Sequence, residues 1–468
     1  MYPRVLLALA LLAGVPAPAA RAAEDASPVP STPVFSLRRV PGLVAGAVAD
    51  RRLAAGLGQI MDDPALGTAR ERSCLSVRNP AGRVAYARNP DAPLIPASTI
   101  KVLTASAALA RLGPEFRYVT EARAGAPPSG GTVAGDLWVV GSGDPLLATA
   151  DFAAVAGFQR RPRLATSLEA LADRVVAAGV RRIAGRVVGD ETRYDTQRYV
   201  PSWNPSYITE NEVGPQSALT VNGGFLAWDP RPVASPAPAT NAAATLTSLL
   251  RARGVTVDAD AGQGQAPTSA TAVAKMESAP LPEVLAVLLR ESDNMTAELL
   301  VKELGVRFGG AGTTSAGLGV LRSTLVSLGL ASDGLVSTDG SGLDRSDRLS
   351  CNALQVALAN GGEQGVLGQS MPLAGRDGTL ARRFAGTPAA GKVRAKTGSL
   401  RGVSGLSGWT TAVDGRSLQF ALIANELPGD GAGLGLQDRV VATLGGYPQA
   451  PPPSELGPRP VVAAPAPG

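Results

Sequence analysis

Pro96-Ala97-Ser98-Thr99-Ile100-Lys101 is the stretch around which the rest of this sequence can be organised. Apolar residues recur at helical spacing over residues 102–109, and Leu112-Gly113-Pro114 ends that pattern with residues that break helices. Ser98 is therefore predicted at a helix N-terminus, with Lys101 one turn later on the same face. Free backbone N–H groups and a partial positive charge at such a helix end favour an anionic oxygen.

The chain of 468 residues contains no histidine, which excludes a Ser-His-Asp hydrolase. The base that remains available to Ser98 is an amine with a lowered pKa. Lysine is scarce among the 44 basic residues, and its positions are Lys101, Lys275, Lys302, Lys392 and Lys396. Arginine stays protonated, so these few lysines are the candidates for a general base. Ser-x-x-Lys alone, however, more often marks an ordinary helix N-cap.

Two further motifs strengthen the catalytic interpretation. Ser292-Asp293-Asn294 lies in a break between two helical patterns, and Lys396-Thr397-Gly398-Ser399 lies on a predicted strand. Strand alternation places Lys396 and Gly398 on one face and Thr397 and Ser399 on the other. Each motif alone has a bland explanation, a helix cap or a strand end. Together with Ser98 and Lys101 they form the motif set of penicillin-recognising serine enzymes.

The remaining pattern predicts an α+β fold in which an antiparallel sheet is covered by helices. Helices are expected at 43–61, 281–290 and 295–304, a β-hairpin at 73–87, and closing strands at 393–396, 407–412 and 418–425. Residues 41–119 and 275–447 would form this domain. Residues 120–274 have short strand-like runs with one helical stretch at 164–178, which predicts a mostly β accessory insertion.

Both ends of the chain have distinctive compositions. Residues 1–22 are predicted to be a signal peptide, since Arg4 precedes an apolar run at 5–15 and Ala20-Arg21-Ala22 offers a cleavage site. That run is shorter than the roughly 20 residues of a membrane span. The sequence therefore predicts an exported protein, periplasmic or in the cell wall or medium, soluble after cleavage and without a stable membrane span. Residues 23–40 are predicted to be a flexible leader and 448–468 a disordered Pro-rich tail.

Charge and cysteine content limit the remaining possibilities. A net charge of +5 without a basic cluster gives no reason to expect a nucleic-acid partner. No Cys/His cluster has metal-ligand spacing, so neither a metal nor another cofactor is expected. In an oxidising compartment Cys74 and Cys351 are candidates for a disulfide, and two separate buried thiols are the alternative.

The sequence resembles the class C low-molecular-mass penicillin-binding proteins, the D-alanyl-D-alanine carboxypeptidase/endopeptidase family (peptidase family S13). The resemblance is carried by PASTIK (96–101), GDLWVVGSGDP (135–145), ESDN (291–294), DGSGL (339–343), LAGRDGTL (373–380) and AKTGSL (395–400). It implies a penicillin-recognising transpeptidase/β-lactamase-like domain and an insertion between the first and second motifs. It also implies peptidoglycan stem peptides ending in D-Ala-D-Ala as substrates and β-lactam antibiotics as covalent inhibitors.

The resemblance implies a role for each motif residue. Ser98 would be the acylated nucleophile and Lys101 its base. Ser292 would relay a proton to the leaving amine, and Asn294 would bind the substrate amide and help to place Lys101. Lys396 would supply positive charge, and a second ammonium near Lys101 would lower the pKa of Lys101.

The resemblance extends to substrate binding on the Lys-Thr-Gly strand. Thr397 and Ser399 would hold the substrate carboxylate beside Gly398. The backbone N–H groups of Ser98 and Ser399 would form the oxyanion hole. The Gly-rich loops at 339–342 and 376–379 are expected to be tight turns outside the catalytic set.

Two other functions remain open at this point. One is a serine β-lactamase on the same fold, which would need a group to activate a deacylating water; no Glu-x-x-x-Asn or Tyr-x-Asn equivalent is evident. The other is a catalytically silent envelope scaffold, which the three intact motifs argue against.

Overall fold

The computed structural model describes residues 32–154, 163–331 and 333–459. The helices are α1 Pro41–Met61, α2 Lys101–Leu112, α3 Ala150–Ala153, α4 Leu168–Ala177, α5 Pro205–Thr209, α6 Pro238–Arg251, α7 Leu281–Arg290, α8 Asn294–Phe308, α9 Thr314–Ser327, α10 Cys351–Gly361, α11 Val366–Ser370, α12 Asp430–Gly445 and α13 Pro453–Leu456. Short 3-10 helices occur at Leu37–Arg39, Pro64–Arg70, Ala97–Ile100, Asn222–Gly224 and Gly378–Leu380.

The strands are β1 Ser73–Arg78, β2 Val84–Arg88, β3 Val119–Ala124, β4 Thr132–Val133, β5 Leu137–Val140, β6 Leu147–Ala148, β7 Thr166–Ser167, β8 Arg182–Ile183, β9 Val187–Asp190, β10 Phe225–Ala227, β11 Val233–Ala234, β12 Thr256–Val257, β13 Gly262–Gln263, β14 Thr271–Glu277, β15 Val393–Leu400, β16 Val403–Thr411 and β17 Ser417–Ala424. Among the described residues, those between 48 and 450 form one compact unit, and 32–47 with 451–459 form another. In the described residues of the second unit lie the Leu37–Arg39 turn, the start of α1, and α13.

A five-stranded antiparallel sheet in the order β15-β16-β17-β1-β2 lies at the centre of the larger unit. Alternation along β1 sends Leu75 and Val77 into a core with α1 and α12, and Cys74 into the core on the other face with α2, α7, α8 and α10. On that second face a disulfide joins Cys74 to Cys351, the first residue of α10. The predicted hairpin, antiparallel sheet and covering helices are confirmed.

The segment between α2 and α7 forms its own sheet, in the order β13-β9-β5-β3-β14. Its first and last strands, β3 and β14, pair antiparallel, with Val119 opposite Glu277. β5, β9 and β13 run parallel to one another, and α4 and α6 pack over a shared apolar core. Helix α6 was not predicted, since the one helical stretch expected between residues 120 and 274 was 164–178, where α4 lies; the segment therefore combines helices with strands. The division at 120–274 stays a prediction.

Buried ion pairs connect this segment to α8. The fully buried Lys302 Nζ donates to Asp195 Oδ1 at 2.6 Å and to the Gln197 carbonyl at 2.9 Å. The neighbouring Glu303 accepts from Arg193 at 2.7 Å and from the Tyr194 hydroxyl at 2.9 Å. Because α8 begins at Asn294, these contacts support the helix that carries one of the predicted site residues.

Most of the predictions for the two ends of the chain concern residues that the structure does not describe. Residues 1–22, the predicted signal peptide, lie outside the described residues, as does part of the predicted leader and tail. Within the described ranges, none of the helices has the length and apolarity needed to cross a bilayer.

Candidate active site

Ser98 lies in the 3-10 turn Ala97–Ile100 that runs directly into α2, so the predicted position at a helix start is confirmed. Lys101, the first residue of α2, is completely buried, whereas Ser98 is half-buried. Lys101 Nζ lies 2.8 Å from Ser98 Oγ. Ala97 has a φ of +47°, a conformation that non-glycine residues adopt only where the surroundings enforce it. The turn thus presents the hydroxyl directly to the amine.

Two carbonyl oxygens complete the surroundings of Lys101. Its Nζ lies 2.6 Å from Asn294 Oδ1 and 2.6 Å from the backbone oxygen of Ser341. Burial lowers the pKa of Lys101 to about 8, against the opposing effect of carboxylates, of which Asp339 acts most strongly. About a tenth of such an amine is neutral at pH 7, enough to accept a proton from Ser98.

The second motif forms the turn between α7 and α8. Ser292 has a φ of +59°, a second left-handed non-glycine residue at the site. Asp293 caps α8 by accepting from the backbone N–H of Thr296 at 2.7 Å and pairs with Arg163 at 2.6 Å. The cap interpretation is therefore correct for Asp293, while its two neighbours point into the site.

Asn294 is oriented by a second contact. Its Nδ2 donates to the backbone carbonyl of Glu212 at 2.8 Å, which directs Oδ1 towards Lys101. The amide therefore acts on Lys101 as a hydrogen-bond acceptor.

The third motif lies on β15, beside the turn that carries Ser98. Lys396 is completely buried, and its Nζ contacts Ser292 Oγ at 2.9 Å and the Thr397 carbonyl at 2.7 Å. Thr397 and Ser399 face the cleft, as the alternation predicts. A Cβ added to Gly398 would lie 2.8 Å from the Pro96 carbonyl oxygen, so glycine allows the strand to approach the turn.

The electrostatics of the lysine pair differ from the sequence expectation. The lowered pKa of Lys101 comes from burial. The like charge acts instead on Lys396, whose pKa burial and the charge of Lys101 together hold well below its usual range. Both amines are therefore poised to exist in a neutral form.

The three motifs converge on one cleft of about 1030 Å³, into which Ser98, Ser292, Asn294, Thr397 and Ser399 all project. Polar groups line it and one edge is β15, so an extended peptide has room to lie along the strand.

Two contacts come from loops that the sequence predicted to be tight turns. The Ser341 carbonyl belongs to the loop at 339–342, and Thr379, whose Oγ1 lies 2.9 Å from Thr397 Oγ1, belongs to the loop at 376–379. Their glycine pattern was the available signal, but it indicates a turn equally well.

Known proteins share this architecture. The fold, with a Ser-Lys pair, a second lysine and a serine-containing turn in one cleft, defines a penicillin-recognising serine hydrolase. The D-Ala-D-Ala carboxypeptidase 3 (S13) family model matches residues 53–232 and 228–444. The chain belongs to this family and is a serine-type carboxypeptidase of the penicillin-binding class.

The chain is similar to curated relatives over most of its length. It is 31% identical to a D-alanyl-D-alanine carboxypeptidase from Actinomadura sp. strain R39, covering 92% of this chain and 91% of the relative. It is 32% identical to a carboxypeptidase from Mycolicibacterium smegmatis, covering 90% of each. Among solved structures, penicillin binding protein 4 from Haemophilus influenzae shares the fold with a TM-score of 0.69 at 21% identity, over 80% of this chain and 96% of that one.

Proposed function

We propose that this chain cleaves peptidoglycan stem peptides ending in D-Ala-D-Ala, as a carboxypeptidase or endopeptidase, through an acyl-enzyme on Ser98. The observation that carries the proposal is the 2.8 Å contact between Ser98 Oγ and a buried Lys101 amine whose pKa is lowered to about 8. A base near its own pKa at neutral pH can both take up the serine proton and release it.

Acylation follows from this contact. Neutral Lys101 takes the Ser98 proton as Oγ attacks the carbonyl carbon of the penultimate D-Ala. The backbone N–H groups of Ser98 and Ser399 stabilise the resulting oxyanion, a contribution often worth several kcal/mol. The close approach of β15 at Gly398 supports this pairing of a turn N–H with a strand N–H.

The leaving amine needs the proton that Lys101 has taken up. Ser292 Oγ, 2.9 Å from Lys396 Nζ, is the relay: it gives its own proton to the D-Ala nitrogen as the peptide bond breaks and receives the Lys101 proton in its place. Water then attacks the Ser98 ester and gives its proton to Lys101, which passes it to Ser98 Oγ as the ester bond breaks and the shortened peptide is released. Asn294 binds the substrate amide while it holds Lys101.

The C-terminal carboxylate of the substrate fits beside Thr397 and Ser399, close to Lys396. An anion there raises the pKa of Lys396 and returns its positive charge. Binding of the correct substrate would thereby charge the group that the relay needs. β-Lactams are expected to acylate Ser98 by ring opening; penicillin binding protein 4 from Haemophilus influenzae is known in complex with a β-lactam. Substrates of this kind lie outside the cytoplasmic membrane, in agreement with the predicted export.

The experiment is D-alanine release from a diacylated Lys-D-Ala-D-Ala peptide, with intact mass after incubation with penicillin. Wild type should release D-alanine and gain one penicillin adduct on the peptide that contains Ser98. Ser98→Ala should do neither while keeping its melting temperature. Equal release by both proteins, or none by either, would exclude the mechanism, and rapid penicillin turnover would indicate a β-lactamase.

A further inference from the structure

The loop 339–344 is wedged between the nucleophile turn and α8. A Cβ added to Gly342 would lie 2.1 Å from the Ala97 carbonyl oxygen, and one added to Gly340 would lie 3.0 Å from the Ala297 carbonyl oxygen. The Thr104 hydroxyl of α2 donates to the Gly340 carbonyl at 2.8 Å, and Gly340 N–H donates to Glu298 of α8 at 3.0 Å. The two glycines therefore allow a close packing that places the next carbonyl, that of Ser341, against Lys101.

The completely buried side chain of Asp339 holds this loop in shape. Its Oδ1 accepts from the backbone N–H of Ser341 at 3.1 Å and of Gly342 at 2.6 Å. Its Oδ2 accepts from Asp344 N–H at 2.8 Å and from Trp203 Nε1 at 2.7 Å. Four donors converge on one carboxylate, so the path of the loop is fixed relative to that side chain.

The small number of hydrogen bonds that a neutral lysine can donate explains why the Ser341 carbonyl matters for the orientation of Lys101. A neutral amine has two N–H donors and one lone pair. The oxygens of Asn294 and Ser341 that face Lys101 can only accept, so the two N–H groups point to them. The lone pair then points at the third neighbour, the Ser98 hydroxyl, which is the direction that proton abstraction requires.

We propose that Asp339 is a positioning residue for the general base: it fixes the Ser341 carbonyl, which orients the lone pair of Lys101 towards Ser98. The assignment rests on the proposed role of Lys101. It gives the DGSG loop a function in acylation rather than that of a turn alone.

The charge of Asp339 affects the pH dependence of acylation, which a purely structural role of this side chain would not do. The charged groups that act on the pKa of Lys101 are the carboxylates of Asp339, Glu298, Asp293 and Glu212, whereas the nearby amine of Lys396 has its own pKa lowered by the charge of Lys101. Burial and the charge of Asp339 raise the pKa of Asp347 to about 10 and that of Glu298 to about 8. Removing that charge lowers the pKa of Lys101. The acid limb of the rate profile, which reports this pKa, then moves to lower pH.

The test is the rate of penicillin acylation as a function of pH for Asp339→Asn, normalised to the fraction of protein that finally carries the adduct. The matched control is Asp190→Asn in the insertion. Asp190 is also buried, and it also fixes a loop by accepting from the backbone N–H groups of Thr192 and Ala266, each at 2.8 Å. We expect Asp339→Asn to lower the plateau rate about 10- to 100-fold and to move the acid limb to lower pH. The control should leave both features within twofold of wild type.

Each outcome decides a distinct question. A reduced plateau with an unmoved acid limb, or an unchanged profile, overturns the positioning role. Should Asp339→Asn fail to fold, Trp203→Phe removes one of the four donors and keeps an aromatic ring; a lowered plateau supports the role, and a wild-type rate overturns it. If wild type itself forms no adduct, the proposed function fails instead.

Discussion

Replacing Gly398 with alanine should slow the acylation of Ser98 without abolishing the fold. The added Cβ would lie 2.8 Å from the Pro96 carbonyl oxygen and 3.0 Å from the Thr99 nitrogen, both backbone atoms of the nucleophile turn. Favourable contacts of carbon begin at roughly 3.5 Å, so strand and turn must separate by roughly 0.5 Å or more. The Ser98 hydroxyl and the substrate-binding edge of β15 move apart by that distance.

The expected size of the effect follows from this displacement. A misplacement of 1 Å costs about 100-fold in rate, so half of that distance corresponds to about tenfold, or about 1.4 kcal/mol of activation free energy. Overpacking should also lower the free energy of unfolding by about 1–3 kcal/mol.

The assay is the second-order rate constant of penicillin acylation, with D-alanine release measured in parallel. Gly435→Ala in α12 is the control, because an added Cβ there meets no atom within 4 Å. That variant should keep the wild-type rate and gain about 0.5–1 kcal/mol in stability. If Gly398→Ala is acylated as fast as wild type, the close approach of β15 does not set the geometry of the site.

Three further predictions concern the base and the disulfide. Lys101→Arg should remain folded but show no penicillin adduct by mass, because arginine does not release its proton; near-normal labelling would exclude Lys101 as the base. In wild type the acylation rate should fall about tenfold per pH unit below about pH 8, since protonation removes the base form of Lys101; a rate that is flat from pH 6 to 8 would contradict this. Cys351→Ser, which opens the link to Cys74, should lower the free energy of unfolding by about 2–5 kcal/mol in a denaturant titration and leave activity intact at low temperature.

The sequence predicted the helices and strands whose residues show a clear periodicity or clear end signals. The predicted helix at 281–290 is α7 residue for residue, and the hairpin and closing strands appear as β1, β2 and β15 to β17. The three motifs lie on helix start, interhelical turn and strand, as predicted, because capping residues and strand alternation decide those positions.

Elements that depend on tertiary contacts could not be predicted in this way. Helix α12 contains glycine at 431, 433 and 435, which opposes helix formation on propensity alone. It forms because Leu436, Val440 and Leu444 are buried beside the sheet, and a Cβ at Gly433 would lie 2.5 Å from that of Ser404. The Ser341 carbonyl escaped prediction for a related reason, since a backbone atom is brought to Lys101 by packing and leaves no trace in residue type.

The pairing of β3 with β14 has a consequence for how this chain can vary. The segment between α2 and α7 begins and ends in these neighbouring strands, so by connectivity alone it could be lengthened, shortened or cut out. The ion pairs that this segment makes with α8 oppose its removal. Without Asp195 the buried charge of Lys302 would lose its counterion, and without Arg193 the buried Glu303 would keep only Arg307 of its own helix, the one that begins at Asn294. Variation in length is thus best tolerated away from these ion pairs, and an engineered minimal enzyme would need a neutral residue at 302.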